Sequence, residues 1–395
     1  MIDSNDSPTD TSVIIDDAID PSLDEDKSST DLATKPWDPK DIRITTKTFT
    51  LREIYTQIVD GELDLAPDFQ RSFVWKDKQQ VRLIESILLG IPLPAFYFNQ
   101  DVTGAHQVID GVQRLTTLKH FMSNGLALNG DALEYLSKLK GTSYQTLDAA
   151  TRRRFAGTQI VAHVIEPQTP AEVKYDIFNR VNTGGSPLSA QEIRHCMSKV
   201  HSRNFLNALV ESESFNAVMG RAFWSKDASG QWIRNNQRMM DREMALRFCA
   251  FYTLPVEEYA KATSLDAFLL KFTQSIDHQH ETNSTIDTGT MTAAFDRAMR
   301  NANEIMGRGA FRLWTPGESS RRGPLNRAIF ESQAIALADY SLEQLQPHKQ
   351  DIQNAFRQLF LNPDYDTAVR VGTGSFLNVS RRLNMPKAAI AKILS

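Results

Sequence analysis

Two cysteines, Cys196 and Cys249, are too few and too far apart to suggest a disulfide framework. Both fall in apolar helical contexts, which predicts two buried free thiols in a reducing compartment. Long apolar runs are missing as well. None approaches the roughly 18 residues needed to cross a bilayer, so no membrane partner is expected. The acidic, polar opening residues resemble neither a signal nor a transit peptide, and a cytoplasmic protein is expected. Histidine is sparse: the eight are scattered, and His278 with His280, or His195 with His201, lack the Cys or carboxylate framework of a metal site. No phosphate loop ending in Gly-Lys-Ser/Thr occurs, no Gly-x-Ser-x-Gly elbow, and no His-containing ββα nuclease motif. Gly372-x-Gly374 is too short to carry meaning.

What is present is the composition of a globular protein, 41% hydrophobic and 23% charged, in 395 residues, enough for two or three domains. The net charge of −4 hides an asymmetry. Residues 1–41 hold twelve Asp/Glu against three Lys, a local −9, which leaves +5 for the rest. A mildly basic body with an acidic tail suits a nucleic-acid or nucleotide partner. The plainer reading of residues 1–41 is a solvated disordered tail.

Order is expected from Ile42, where residues 42–50 alternate like a strand. Leu51, Ile54, Tyr55 and Ile58 recur at helical spacing until Gly61. A helix follows from Asp77 to Leu89. Two short strands, Ala95–Asn99 and His106–Ile109, are joined by a turn. A helix is predicted over Gln113–Ser123 and a polar helical insertion over 129–155. A strand follows over Gln159–Ile165 and a helix over Ala171–Arg180. Ser189 with Glu192 forms a capping box that opens another helix. Beyond residue 200 the pattern is helical almost throughout, in Phe205–Val210, Met239–Tyr252, Leu265–Ile276, Met291–Met306, Asn326–Ala338 and Leu342–Phe360. The fold class is therefore α+β, with a small α/β domain at 42–200 and a mainly helical domain at 201–395.

Three polar clusters in the first domain carry the chemistry. Gln70-Arg71 lies in a loop between aromatic residues. Asp110-Gly111-Val112-Gln113-Arg114 stands where a strand gives way to a helix. Asn179-Arg180-Val181-Asn182 runs into Gly184-Gly185. Helix N-termini offer free N–H groups to anions, and arginine grips phosphate with paired hydrogen bonds. If the three converge, the pocket suits a polyphosphate. Arg71, Arg114 and Arg180 would neutralise charge, Asp110 would hold Mg²⁺ or orient a water, and Gln113 would position the γ-phosphate. Trp75, Phe69 or Phe73 would stack on a base. Each cluster alone also reads as an ordinary turn. Arg152-Arg153-Arg154 suggests DNA phosphate contacts, or simply cations that suit the end of a helix.

At these residues the chain resembles the N-terminal domain of the GmrSD-type modification-dependent restriction enzymes. The family signature Asp-Gly-Gln-Gln-Arg reads Asp110-Gly111-Val112-Gln113-Arg114 here, between Val108-Ile109 and Leu-Thr-Thr-Leu. A Pro-x-aromatic-Gln-Arg-x-aromatic-Val-Trp segment is matched by Pro67 to Trp75, and a Gly-Gly segment ending in Leu-Ser by Phe178 to Ser189. The resemblance covers roughly residues 45–200. It implies a ParB/sulfiredoxin-like fold that binds and hydrolyses a nucleoside triphosphate, GTP or ATP, with Mg²⁺. On that reading Asp110, Gln113 and Arg114 are catalytic and Asp110 meets the metal. Gln70, Arg71, Trp75, Gly111, Arg180, Asn182, Gly184 and Gly185 then contact nucleotide. The chain departs from the family at Val112, and it shows no HNH motif after residue 200, so a nuclease would be a separate subunit. Whether the chain is an enzyme, an Mg-dependent NTPase, and whether it forms a homo-oligomer, stay open. The leading expectation is a nucleotide-dependent regulatory or sensor protein of a DNA-targeting, anti-phage defence system. The alternatives are a non-enzymatic DNA-binding module using Arg152–Arg154 and the arginines at 321–322 and 381–382, or a metal-dependent nuclease built on Asp110.

Overall fold

The computed structural model describes residues 38–65, 75–129, 131–181, 188–226, 229–234, 237–278, 286–317 and 322–395. The expected tail lies outside the described residues as far as residue 37, and Pro39–Asp41 form a single 3-10 turn. Two compact units follow, Lys35–Met197 and Ser198–Ser395. Together they make a mixed α+β protein, with a sheet and helices in the first unit and a mainly helical second.

In the first unit β1 (Ile44–Thr50) runs into α1 (Leu51–Val59), and Thr50 and Glu53 form a capping box at the junction. Leu51, Ile54 and Ile58 are the buried stripe of α1. Gly61, at φ +78°, then turns the chain into β2 (Leu63–Asp64). Next come α2 (Asp77–Leu88), β3 (Phe96–Gln100), β4 (His106–Asp110) and α3 (Val112–Met122). After α4 (Ala149–Ala156), β5 (Gln159–Ile165) completes a five-stranded sheet in the order β1-β5-β3-β4-β2. β3 pairs antiparallel with β4 and parallel with β5, so the sheet is mixed. Phe96, Phe98, Val108, Ile160, Ala162 and Val164 join Leu115, Leu118 and Phe121 of α3 in one core. α5 (Ala171–Val181) and α6 (Ala190–Cys196) close the unit, and Ser189 and Glu192 cap α6 as expected.

The polar helical insertion expected over 129–155 is not what forms. Among the described residues only a 3-10 turn at Ser137–Leu139 and α4 are helical there. The cause lies in α2. Glu85, buried on the core side, accepts the backbone N–H groups of Glu134, Tyr135 and Leu136 at 2.7–3.0 Å. Its carboxylate satisfies those donors, and the segment needs no helix to do so. Burial alone would raise the pKa of Glu85, but these three donors and Arg82 outweigh it and hold the carboxyl below its ordinary value.

The second unit begins with α7 (Val200–Glu211) and α8 (Glu213–Met219), followed by a short hairpin of β6 (Trp224–Lys226) and β7 (Trp232–Arg234). α9 (Met240–Thr253), α10 (Val256–Ala260), α11 (Leu265–Asp277) and α12 (Thr288–Asn301) come next, and a π-turn over Ala302–Met306 continues α12. The unit ends with α13 (Arg327–Ala338), α14 (Leu342–Leu345), α15 (Lys349–Leu359), α16 (Pro363–Arg370) and α17 (Phe376–Leu394). α9 and α13 are buried along most of their length, so they form the centre of this unit. Cys196 and Cys249 are both buried free thiols. No described helix is long and apolar enough to cross a membrane.

Candidate functional site

Asp110 ends β4 at a bulge. Tyr97 pairs with Asp110 and Phe98 with Val108, so Ile109 has no partner across the strand. A bulge re-aims the side chains beside it relative to the regular pleat. Gly111 then takes φ +98° and serves as the N-cap of α3. A Cβ at this position would lie 2.3 Å from Cδ1 of Phe96, so the close approach of backbone to ring requires glycine. No side chain caps α3, and its first backbone bond runs from Leu115 N–H to the Gly111 carbonyl. The N–H groups of the first turn therefore have no side-chain cap and lie at the positive end of the helix dipole.

Arg114 is committed inward. Its Nη2 donates to Asp110 Oδ2 at 2.8 Å and to the Ala95 carbonyl at 3.3 Å, and its Nη1 donates to the Pro94 carbonyl. Its guanidinium lies 4.2 Å from the centre of the Phe96 ring. The side chain is 13% exposed, against 39% for Asp110. Burial lowers the pKa of Arg114 and Asp110 opposes that shift, so the pair is held as an ion pair. Arg114 thus fixes the carboxylate and keeps the short 94–96 segment in place, and it is not the open phosphate clamp that the sequence suggested. The signal was there: Asp110 and Arg114 stand four residues apart across the turn, a spacing at which acid and base meet.

Asp110 Oδ1 has no hydrogen-bond partner among the described residues. Three residues further on, Oε1 of Gln113 is shielded from solvent and also has none among the described residues. A shielded acceptor without a donor is costly. Val112 packs against the core, so an apolar side chain is suited to the position where the family signature has glutamine.

The other expected site residues fall in three groups. Gln70, Arg71, Phe69 and Phe73, and likewise Asn182, Gly184 and Gly185, lie outside the described residues. Trp75 is half-buried against the core, and its carbonyl accepts from Nε2 of Gln80 at 3.1 Å, so only part of its ring faces out. Arg180 is exposed near the end of α5. The three arginines of α4 divide their work. Arg152 donates to the Gln145 carbonyl and Arg154 to the Leu88 carbonyl, while Arg153 is exposed. Of the pair at 381–382, Arg382 is 0% exposed and bonded to Glu331, so it presents nothing to DNA. No group of three His, Cys, Asp or Glu that could hold a metal ion occurs among the described residues.

Residues 51–198 match the model of the GmrSD restriction endonuclease N-terminal domain. The match takes in the whole Asp110–Arg114 site. No curated protein matches the chain. A solved structure, the C2221 form of a Pnob8-like ParB-N domain, aligns at 9% identity over 90% of this chain and 99% of that one, with a TM-score of 0.20. At that score the alignment adds nothing to the architecture described above.

Proposed function

We propose that this chain is a nucleoside-triphosphate-binding regulatory or sensor protein of a DNA-targeting, restriction-type defence system. The observation that carries the reading is the half-exposed Asp110 carboxylate, fixed by Arg114 at the uncapped N-terminus of α3. First-turn N–H groups of α3 take a phosphate oxygen. Asp110 Oδ1 would meet the metal or the attacking water, and Gln113 Oε1 would accept a hydrogen bond from that water and so position it. Arg114 holds Asp110 in position. Gln70, Arg71, Asn182, Gly184 and Gly185 complete the pocket by their place in the family motifs, and Arg180 supplies a further cation.

A single carboxylate fits Mg²⁺ of the kind that arrives with a nucleotide, since that ion keeps waters and phosphate oxygens as its other ligands. Such an ion would neutralise charge developing on the β- and γ-phosphates. DNA and a separate nuclease subunit enter as partners through the family's description as a restriction endonuclease domain. The expected outcome is calorimetric binding of at least one of the four NTPs with Mg²⁺, and phosphate release that responds to DNA. Asp110→Asn should keep binding within a few fold while losing release by about a hundredfold or more. Absence of binding for all four NTPs would overturn the reading.

A further inference from the structure

The second unit carries a two-stranded ribbon, β6–β7, that is packed at its base and open beyond it. α8 ends at Gly220, and Phe223, 4% exposed, enters the core with its ring 5.8 Å from that of Phe215. Arg234 pairs with Trp224 at the same end of the ribbon. It donates to Asp241 Oδ2 at 2.8 Å and to Asn216 Oδ1 at 3.1 Å, which ties β7 to α8 and to the start of α9. Past this base, Trp232 is 38% and Ile233 46% exposed. Successive residues of a strand point to opposite faces. Neither face of β7 is therefore covered at that point, and the ribbon projects from its unit.

What the ribbon presents is positive. Lys226 stands directly opposite Trp232 in the register, so the two side chains share a face, and Nζ of Lys226 lies 5.4 Å from the centre of the indole. The guanidinium carbon of Arg221 lies 4.3 Å from the same ring. Arg221 and Lys226 are both exposed. A guanidinium stacked on an indole keeps its in-plane N–H groups for a phosphate, and the stack fixes where it stands. Residues 221–242 hold five Arg/Lys against two Asp. One of the acids, Asp241, is bonded to Arg234, and the other, Asp227, lies outside the described residues. The excess of cations holds with both acids counted.

We propose that the β6–β7 ribbon contacts duplex DNA, lying in the major groove with Arg221 and Lys226 on backbone phosphates and Trp232 holding both cations in place. The major groove admits a two-stranded ribbon, which is the shape of this element. Phosphate contacts set register and orientation and read no sequence, so the ribbon binds duplexes of unrelated sequence alike. The proposal rests on the DNA partner of the reading above and does not depend on the nucleotide site.

The test is fluorescence anisotropy of a labelled duplex with the full chain, at several salt concentrations, with NTP calorimetry on the same samples. Arg221→Gln and Lys226→Gln should each weaken duplex binding about fivefold to tenfold and lower the salt slope by about one. Trp232→Ala should weaken it at least as much, whereas Trp232→Phe keeps a ring for the two cations and should stay within about threefold of wild type. All three positions are exposed, so thermal unfolding should hardly change, which separates lost contacts from a folding defect. NTP binding should be unchanged. Arg381→Gln removes a partly exposed arginine outside the ribbon, one that pairs with Asp364 at 3.0 Å, and it should have little effect. Duplex binding that is absent in the wild type, or equal in the wild type and the ribbon variants, would overturn the proposal. So would a single strand that binds more tightly than the duplex and is lost in Trp232→Ala but not in Arg221→Gln, since the indole would then stack on bases. If no NTP binds but the ribbon-dependent duplex binding remains, the nucleotide reading falls and this one stands.

Discussion

At residue 111 the chain adopts φ +98°, and a Cβ there would sit 2.3 Å from one carbon of Phe96 and 3.1 Å from Nη2 of Arg114. Gly111→Ala therefore combines backbone strain with a clash against a fully buried ring. The expected loss is about 3 kcal/mol by urea unfolding. Because the ring and Arg114 stack, nucleotide binding should weaken with it. A loss within experimental error would show that Phe96 moves freely, which its burial argues against. Arg114→Lys tests the other half of the arrangement. Lysine keeps a charge for Asp110 but loses the planar fork that also reaches Pro94 and Ala95. Much of this was readable in advance. The strand end, the glycine turn and the helix start all fall where the residues place them. That Arg114 turns inward could not be seen without Phe96 and the 94–95 carbonyls, which sit close only because β3 pairs with β4.

Among elements, the link between α2 and the 134–136 segment depends on Glu85. Glu85→Ala leaves three backbone donors unsatisfied and should cost on the order of 3 kcal/mol. The same carboxyl predicts a pH dependence. Its folded pKa lies below the unfolded value, so it contributes stability above the ordinary carboxylate range and loses it as pH falls through the lowered folded value. Chemical denaturation of wild type and Glu85→Gln at falling pH should show the gap between them narrowing in that acid range. A constant gap would mean that the charge plays no part. Sequence periodicity alone does not separate Glu85 from the other polar residues of α2, because its partners lie about fifty residues away. The same holds elsewhere. α1, α2, α3, β5 and α5 follow directly from apolar spacing, since each buries one face locally. α16 and α17 did not stand out. Gly372 and Gly374 break the pattern before α17, and Pro386 lies inside it, yet the helix runs from Phe376 to Leu394. The β6–β7 hairpin is three residues a side, too short for alternation to register.

At the scale of the whole molecule, the two units have separate hydrophobic cores among the described residues, one drawn from Leu51 to Val164 and one from Leu206 to Ile390. The second is crossed by a buried network of charge. Glu331, 0% exposed, bonds Nη1 of Arg247 at 2.9 Å and Nε of Arg382 at 2.8 Å, and Arg247 and Arg327 share Glu243. Ser332 joins Tyr365 to the Arg382 carbonyl, which ties α13, α16 and α17 together. Burying such groups is costly unless every partner is present, and removing one partner leaves a charge uncompensated. Arg382→Leu should therefore lower stability by about 3–5 kcal/mol, whereas Arg381→Ala, one residue away and partly exposed, should cost at most about 1 kcal/mol. The residues of this network named above all lie in Ser198–Ser395. A fragment of residues 198–395 should then unfold cooperatively by itself, and Arg382→Leu should destabilise fragment and full chain by the same amount. A fragment without a cooperative transition, or a loss that differs between the two by more than about 1 kcal/mol, would mean that the helical unit draws its stability from the first one.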